Sequence, residues 1–392
     1  MDQMTPSFTA GLAKAVYTIT DDGVTLQQAY KRLNSIYNDI FNFDNNNLLK
    51  GKTGGPSVIK CRTAFGFTLI GQGRLKGHAF ILFRGTHFLA DWLTNLNATV
   101  SSSACGQPVH TGFNETFNTI KPKIQAFMLN LQSQKIHSVH CIGHSLGGAI
   151  ATLCAEWIAK SYQSPYLYTF GSPRVGLAGF AGYCTRRLGQ NHIYRAYHKT
   201  DIVPYIPIWP FIHTPNKGKD YFLPSPGIIP GGHYHGMDQY IRSVSQRSWK
   251  SLGSRPALHT NAGIEQWLKR NATVGFTLSS IEWLSDALMY VLKKCAGSAA
   301  LAISNAFTSS FSLMDQIAYI LKKGLDKTKS VSEWVIRLLN KIMFMLGYNR
   351  SAVLAVEYNH EMIRFLFMKL HYRFSTYAGR ALNQALVNGQ SL

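Results

Sequence analysis

Ser138-Val139-His140-Cys141-Ile142-Gly143-His144-Ser145-Leu146-Gly147-Gly148-Ala149 is the stretch that decides the fold. Its first five residues are a short run that reads as a buried strand. Residues 147–160 carry Gly148, Ala149, Ala151, Ala155 and Ala159 and read as a helix rich in small side chains. Between strand and helix, Gly143-His144-Ser145-Leu146-Gly147 matches G-x-S-x-G. In that setting a strained turn holds the Ser hydroxyl out at the edge of a sheet. Only glycine-sized neighbours let strand and helix approach closely enough. The bare pattern also fits an ordinary Gly-rich turn, and the strand and helix around it favour a nucleophile.

Working outward, the same alternation recurs. Residues 64–71 and 78–84 are apolar and β-prone and read as a hairpin joined by Gly73–Gly77. Residues 113–132 read as a helix, and Tyr166–Phe170 and His192–Tyr197 as strands. Strands alternating with helices argue for an α/β layer structure with a mostly parallel central sheet. The first 40 residues show helical spacing at Leu12, Ala15, Val16 and Ile19, and again at Leu26, Tyr30 and Leu33. Residues 42–56 read as loop. Gly51-Lys52-Thr53 within them is no phosphate loop, because Asn46 stands where that motif needs Gly. Turn residues are dense from Pro204 to Pro256, and no proline follows Pro256. Four helical stretches are expected near 274–294, 311–323, 331–347 and 351–384. The division expected is residues 1–258 as an α/β domain and 259–392 as an all-α C-terminal region.

The 392 residues carry 40 Lys and Arg against 19 Asp and Glu, a formal charge of +21. Charged residues are only 15% of the chain, against roughly 25% in typical soluble proteins. The chain is therefore basic because acids are scarce. Hydrophobic residues at 46% support a real core and argue against wholesale disorder. No run of five like charges occurs, so no basic nucleic-acid-binding tail is present and nucleic acid is not an expected partner. A diffuse positive field draws a protein toward anionic surfaces, phospholipid head groups included. The six cysteines form no C-x-x-C pair, and Cys141 and Cys154 lie in apolar, core-like segments. They make neither a disulfide scaffold nor a zinc framework. Met1–Phe8 lacks a basic segment followed by an apolar one, so no cleavable signal is expected. No apolar run is long enough to span a bilayer. The expected location is the cytoplasm, or outside by a signal-independent route, acting at a membrane surface.

A Ser nucleophile needs a general base, and the base needs an acid to orient it. Three acids lie at suitable loop positions after Ser145: Asp201, Asp220 and Asp238. Asp201 directly follows the strand His192–Tyr197, and active-site residues collect at the ends of parallel strands. Asp220 reads as solvated in a polar loop. Asp238 opens a helix, where a carboxylate favours the dipole. For the base, His213, His233, His235 and His259 are candidates. His235 is preferred, on a glycine-rich loop able to reach over the sheet, with His233 and His259 the alternatives. No acidic or Cys ligand clusters with these histidines, so no metal and no cofactor is expected.

Four blocks follow one another in the chain: Phe83-Arg84-Gly85-Thr86 with Asp91-Trp92-Leu93-Thr94-Asn95-Leu96; Val109-His110-Thr111-Gly112-Phe113; the Ser145 turn continuing into Gly147-Gly148-Ala149; and Tyr168-Thr169-Phe170-Gly171-Ser172-Pro173-Arg174-Val175-Gly176 leading to Asp201-Ile202-Val203-Pro204. In this order they resemble the class 3 lipases, a family that includes the fungal triacylglycerol lipases, over about Leu12 to Val244. The resemblance implies the α/β-hydrolase fold, with Ser145 as nucleophile, Asp201 as triad acid and His235 as general base. It also implies an oxyanion hole from the backbone amides of Thr86 and Leu146. His87–Asn97 would match the lid helix of the fungal enzymes, and His213 a separate, non-catalytic histidine. Residues 260–392 resemble nothing in those lipases.

The implied activity is lipolytic ester hydrolysis, phospholipids first and neutral glycerides second, with lipid or a membrane surface as partner. A bacterial effector, exported without a signal peptide, would add an inhibitory or delivery protein partner. Ile206-Pro207-Ile208-Trp209-Pro210-Phe211-Ile212 reads either as an acyl groove or interfacial loop, or as a loop packed on the core. Trp334–Phe344 reads as a bundle helix or, less readily, as one lying in a membrane interface. The aromatic residues between Tyr358 and Tyr377 read as packing residues.

Overall fold

The computed structural model describes residues 4–20, 25–37, 39–43, 45–53, 61–85, 100–208, 210–216, 219–254, 259–296 and 313–387. Helices α1 (Pro6–Ala15) and α2 (Leu26–Tyr37) open the chain, followed by strands β1 (Leu48–Thr53), β2 (Cys61–Ile70) and β3 (His78–Phe83). A two-stranded ribbon, β4 (Val100–Ser102) with β5 (Pro108–His110), leads into helix α3 (Thr111–Leu131). Strand β6 (Ser138–His144), helix α4 (Leu146–Ser161), strand β7 (Tyr166–Phe170), helix α5 (Ala178–Leu188) and strand β8 (Ile193–His198) then alternate. Strand β9 (Tyr221–Leu223) and helix α6 (Met237–Val244) complete the layer structure.

The central sheet has the order β1-β2-β3-β6-β7-β8-β9. The β1/β2 and β2/β3 pairs are antiparallel, and every pair from β3/β6 to β8/β9 is parallel. This is the α/β-hydrolase arrangement, with the mostly parallel sheet that the alternation predicts. Helix α4 packs on β3, β6 and β7 beside α3 and α5, while α1 covers the same strands with α6. Strands covered on both faces read as near-continuous apolar runs, and β3 and β6 are buried along almost their whole lengths. Cys141 and Cys154 lie in that core with sulfurs 3.9 Å apart, as their apolar neighbours suggested.

Two expectations need correction. Residues 42–56 are not all loop, because β1 pairs along β2 with a register shift at Leu49/Lys50. Strand identity here comes from the partner's ladder, which a Lys- and Gly-containing edge segment does not advertise. Strand β9 was likewise hidden in the Pro- and Gly-rich stretch, and its three residues form a strand by pairing with β8 and bridging to Ser254.

The C-terminal region is helical: α7 (Asn261–Lys269), α8 (Leu278–Ala296), α9 (Leu313–Leu325), α10 (Lys329–Leu346), α11 (Arg350–Leu354) and α12 (His360–Val387). The expected stretch 274–294 begins later, at Leu278, and is preceded by a separate helix, α7. The stretch 351–384 divides into α11 and α12. Helices α8, α9, α10 and α12 pack on one another. In α10, Val335, Leu338, Leu339, Ile342 and Met343 are buried, so this helix is bundle core. The bundle reaches the sheet domain where Leu278 N–H donates to the Ile228 carbonyl at 3.1 Å. Ile206, Ile208 and Phe211 are buried, so the described part of the 206–212 loop packs on the core. No helix among the described residues is long and apolar enough to cross a membrane.

Candidate active site

Strand β6 ends at His144 and α4 begins at Leu146, leaving one residue, Ser145, to turn the chain. Ser145 has φ 56° and ψ −130°, one of two non-glycine residues with positive φ among those described. Such a backbone costs of order 1–3 kcal/mol and persists only where its surroundings over-determine it. They do so here. The Ser145 N–H donates to the Phe170 carbonyl at the end of β7, at 3.0 Å. A Cβ at Gly143 would stand 2.1 Å from the Gly147 carbonyl oxygen, and one at Gly147 would stand 2.4 Å from the Phe83 carbonyl oxygen. The two flanking glycines thus let β6, α4 and β3 meet at one point.

Asp201 follows β8, and His235 lies just before α6. The Ser145 hydroxyl is 2.9 Å from His235 Nε2. His235 Nδ1 lies 2.9 and 3.0 Å from the two Asp201 oxygens. Because a carboxylate only accepts, Nδ1 carries the proton and Nε2 is free to accept from Ser145. The Asp201 charge has further donors: Tyr240 O–H at 2.7 Å and Val203 N–H at 3.0 Å. Burial and the neighbouring Asp201 charge hold the Tyr240 phenol well above its ordinary range, so it stays protonated and donates. All three side chains, Ser145, His235 and Asp201, are fully buried.

The other candidates lie elsewhere. His213 accepts from Arg195 at 2.8 Å, His233 is exposed and accepts from Gln239 at 3.1 Å, and His259 pairs with Asp286 at 2.8 Å. Asp238 pairs with Lys14. Asp220 is not solvated as its polar loop suggested: it is buried and paired with Arg195 at 2.9 Å. The loop folds back onto the guanidinium that β8 places in the interior. Leu146 contributes the first backbone N–H of α4, one of the four that a helix leaves without an intrahelical acceptor. Thr86 and the segment 87–97 lie outside the described residues.

A second chain of hydrogen bonds, invisible to motif reading, supports the first. His144 Nε2 donates to the His235 carbonyl at 2.7 Å. Its Nδ1 must then accept, and the donor is Tyr17 O–H at 2.7 Å. Tyr17 in turn accepts from the Gly85 N–H at 2.8 Å. Burial holds the Tyr17 phenol protonated. The N-terminal segment therefore ties together the end of β3, the Ser145 turn and the His235 loop. His198 works similarly: its Nδ1–H donates to the Tyr234 carbonyl and its Nε2 accepts from Ser243, both at 2.8 Å. Burial pushes His198 down to about 4, so it remains neutral. The only sequence signal for His144 is its place inside G-x-S-x-G, and Tyr17 has none.

Chemically, a buried hydroxyl bonded to a neutral imidazole, itself bonded to a satisfied carboxylate, is an arrangement for nucleophilic acyl transfer. Among the described residues no group of His, Cys, Asp and Glu is placed to hold a metal ion. Residues 80–211 match the sequence profile of "Lipase (class 3)". The chain is 32% identical over 165 residues to a secreted mono- and diacylglycerol lipase 1 of Fusarium solani, covering 40% of this chain and 48% of that protein. It is 36% identical over 107 residues to Toxin TseL of Vibrio cholerae, covering 26% and 16%. It is 30% identical over 178 residues to the chloroplastic phospholipase A(1) DAD1 of Arabidopsis thaliana, covering 38% and 37%. The matched segments thus span less than half the length of these relatives.

Proposed function

Since residues 80–211 belong to the class 3 lipase family, we propose that this chain is a lipolytic serine hydrolase that cleaves acyl esters of lipids, phospholipids ahead of neutral glycerides. The observation that carries the reading is the buried relay from Ser145 through His235 to Asp201. In this mechanism the Ser145 oxygen attacks the ester carbonyl and His235 Nε2 takes its proton. Asp201 stabilises the imidazolium without itself becoming protonated. The Leu146 N–H, with the amide of Thr86, holds the tetrahedral oxyanion, and a single such donor is typically worth about 10²–10³ in rate. His235 then protonates the departing alcohol, leaving an acyl-Ser145 ester. Water attacks that ester with His235 again as base and releases the fatty acid.

Both glyceride and phospholipid hydrolysis occur among the names of its relatives. The charge of +21 favours an anionic substrate surface and so the phospholipid. Residues 1–258 form the hydrolase domain in this reading, and 259–392 govern access, targeting or partner binding. The likeness to a protein named as a toxin supports a second reading, an exported antibacterial phospholipase held in check by an inhibitor protein.

The test is hydrolysis by wild type and Ser145→Ala of a short p-nitrophenyl ester and of phospholipid vesicles, resolving released fatty acid from lysolipid. The expected result is vesicle hydrolysis that falls at least about 10³-fold in the variant. Short-ester activity alone would move the substrate away from phospholipid. Equal rates in both proteins would overturn the Ser145 assignment, and no activity in either would favour a binding module on a lipase fold. For the second reading, periplasmic expression should be toxic only with Ser145 present.

A further inference from the structure

Away from Ser145, a cavity of about 510 Å³ opens between the C-terminal end of α10 and one face of α12. Lys369, Arg373 and Arg380 line it, with Tyr348, Tyr372 and Tyr377. On α12 the spacing from Lys369 to Tyr372, Arg373, Tyr377 and Arg380 keeps all five on one face. No carboxylate lines the cavity among the described residues. Arg373 is fixed in place: its Nη1 donates to the Met345 carbonyl at 2.8 Å and its guanidinium lies 5.0 Å from the Phe276 ring. Lys369 and Arg380 are exposed and form no ion pair among the described residues. Beside them stand two aromatic rings that are not packed in the core. Phe365 is 40% exposed and Tyr372 is 63% exposed, and the Lys369 ammonium sits 5.4 Å from the Phe365 ring.

We infer that this cavity binds the phosphate diester anion of a phospholipid head group and seats the molecule on an anionic bilayer. A guanidinium already held at one edge presents its remaining N–H groups to phosphate oxygens in a fixed fork. The exposed Lys369 and Arg380 complete the charge and phenol hydroxyls add donors. Aromatic rings that are apolar on one side and wet on the other suit the depth of the head groups. A purely structural role would explain Arg373, but not two uncompensated cations and two exposed rings around an open cavity.

The position matters as much as the composition. Tyr377 stacks on Phe276 at 4.7 Å, and two residues further on Leu278 donates to Ile228. One residue beyond Arg380, the Ala381 carbonyl lies against Gly232, where a Cβ would come within 1.9 Å. The Gly232 carbonyl accepts the His235 N–H at 2.9 Å. The cavity is thus about one helical turn from the loop that carries the proposed base. A head group bound there would present that side of the molecule to the lipid. In its biological sense the inference rests on the lipolytic reading, whereas the binding itself does not.

Binding is measured on Ser145→Ala protein, so that vesicles are not consumed, by co-sedimentation with phosphatidylcholine vesicles containing 30% phosphatidylglycerol (roughly the density that gives a strong surface potential). Lys369→Gln/Arg380→Gln is expected to weaken binding by about tenfold or more, with the melting temperature and short-ester turnover of the same pair in the Ser145 background unchanged. Lys31→Gln/Arg32→Gln, which removes two exposed charges from α2, should weaken it by less than about threefold. Equal losses in the two pairs would mean that diffuse charge alone is responsible and would overturn the site. Soluble glycerol 3-phosphate serves as the second probe. If it binds by calorimetry in a Lys369- and Arg380-dependent way while vesicles do not bind, the lipid assignment fails. Absence of vesicle binding by the protein with Lys369 and Arg380 intact, while the Ser145 protein keeps its esterase activity, would sink this inference alone. Binding without any esterase in the Ser145 protein would sink the catalytic reading alone.

Discussion

At the residue scale, the candidate site depends on tautomers that its neighbours dictate. His235 carries its proton on Nδ1 because Asp201 can only accept. His144 carries its proton on Nε2 because the His235 carbonyl can only accept. The positions of Ser145, Asp201 and His235, on a G-x-S-x-G turn, at a strand end and on a glycine-rich loop, could be singled out in the sequence. The sequence preferred His235 over His233 and His259 from its loop alone, whereas its contacts with Ser145 and Asp201 are a matter of three-dimensional placement. Tyr17 was not legible at all, since its partner Gly85 is 68 positions away. Tyr17→Phe removes both the donor to His144 and the acceptor of the Gly85 N–H. It should destabilise the fold by about 2 kcal/mol or more and lower short-ester turnover by about tenfold or more. Denaturant unfolding and steady-state kinetics would check both. A stability loss under about 0.5 kcal/mol would show that these bonds do not form in solution.

At the element scale, backbone crowding holds the strained turn alongside the bonds of His144 and of the Ser145 N–H. Because the Gly147 carbonyl occupies the place of a Gly143 Cβ, Gly143→Ala must push α4 away from β6. A cost of about 3 kcal/mol is expected, at the upper end for overpacking against atoms that cannot rotate aside. Reaction of Ser145 with a fluorophosphonate should fall in the same variant, since the displaced helix takes the Leu146 N–H with it. Unchanged labelling would mean that the turn relaxes without moving the helix. Most of the helices and the inner strands β3, β6, β7 and β8 were readable because their periodicity is carried by their own residues. The edge strands β1 and β9 were not, because each is defined by hydrogen bonds to a neighbour.

At the scale of the whole molecule, neutral buried histidines make stability depend on pH. Burial is the main cause for three of them. His110 is pushed down to about 4, with help from His371 in the helical region. His140 is pushed down to about 3, with help from His78, His137 and His192. His198 falls to about 4, although Asp201 and its bond to Tyr234 oppose the shift. Each folded value lies below the unfolded value of about 6.5, so the unfolded chain takes up protons first. Stability is therefore full above about pH 6.5 and is lost as pH falls toward 4 and then 3, by about 1.4 kcal/mol per unit per histidine. Glu156, raised by burial, works in the opposite sense near the carboxylate range. Unfolding free energy measured from pH 7 to 5 should fall steeply, and His140→Gln should flatten the slope by about one proton. A flat profile would show that these groups are solvated. Because His110 faces His371, acid should also loosen the helical region from the sheet domain.

What the sequence by itself determined was the local chemistry: a serine on a turn that only small neighbours permit, an acid at a strand end, alternating strands and helices, and a helical C-terminal region. Those features are carried by residues close in the chain, so spacing and residue type suffice to read them. Tertiary structure alone decided which histidine reaches Ser145, that Asp220 is buried on Arg195, and that Tyr17 ties the site together. It also decided that α12 lies against the loop of His235 while presenting three cations to an open cavity. Each of these depends on burial and on contacts between residues far apart in the chain, and folding brings such residues together by hiding apolar surface, which leaves no periodic trace at the polar positions that come along.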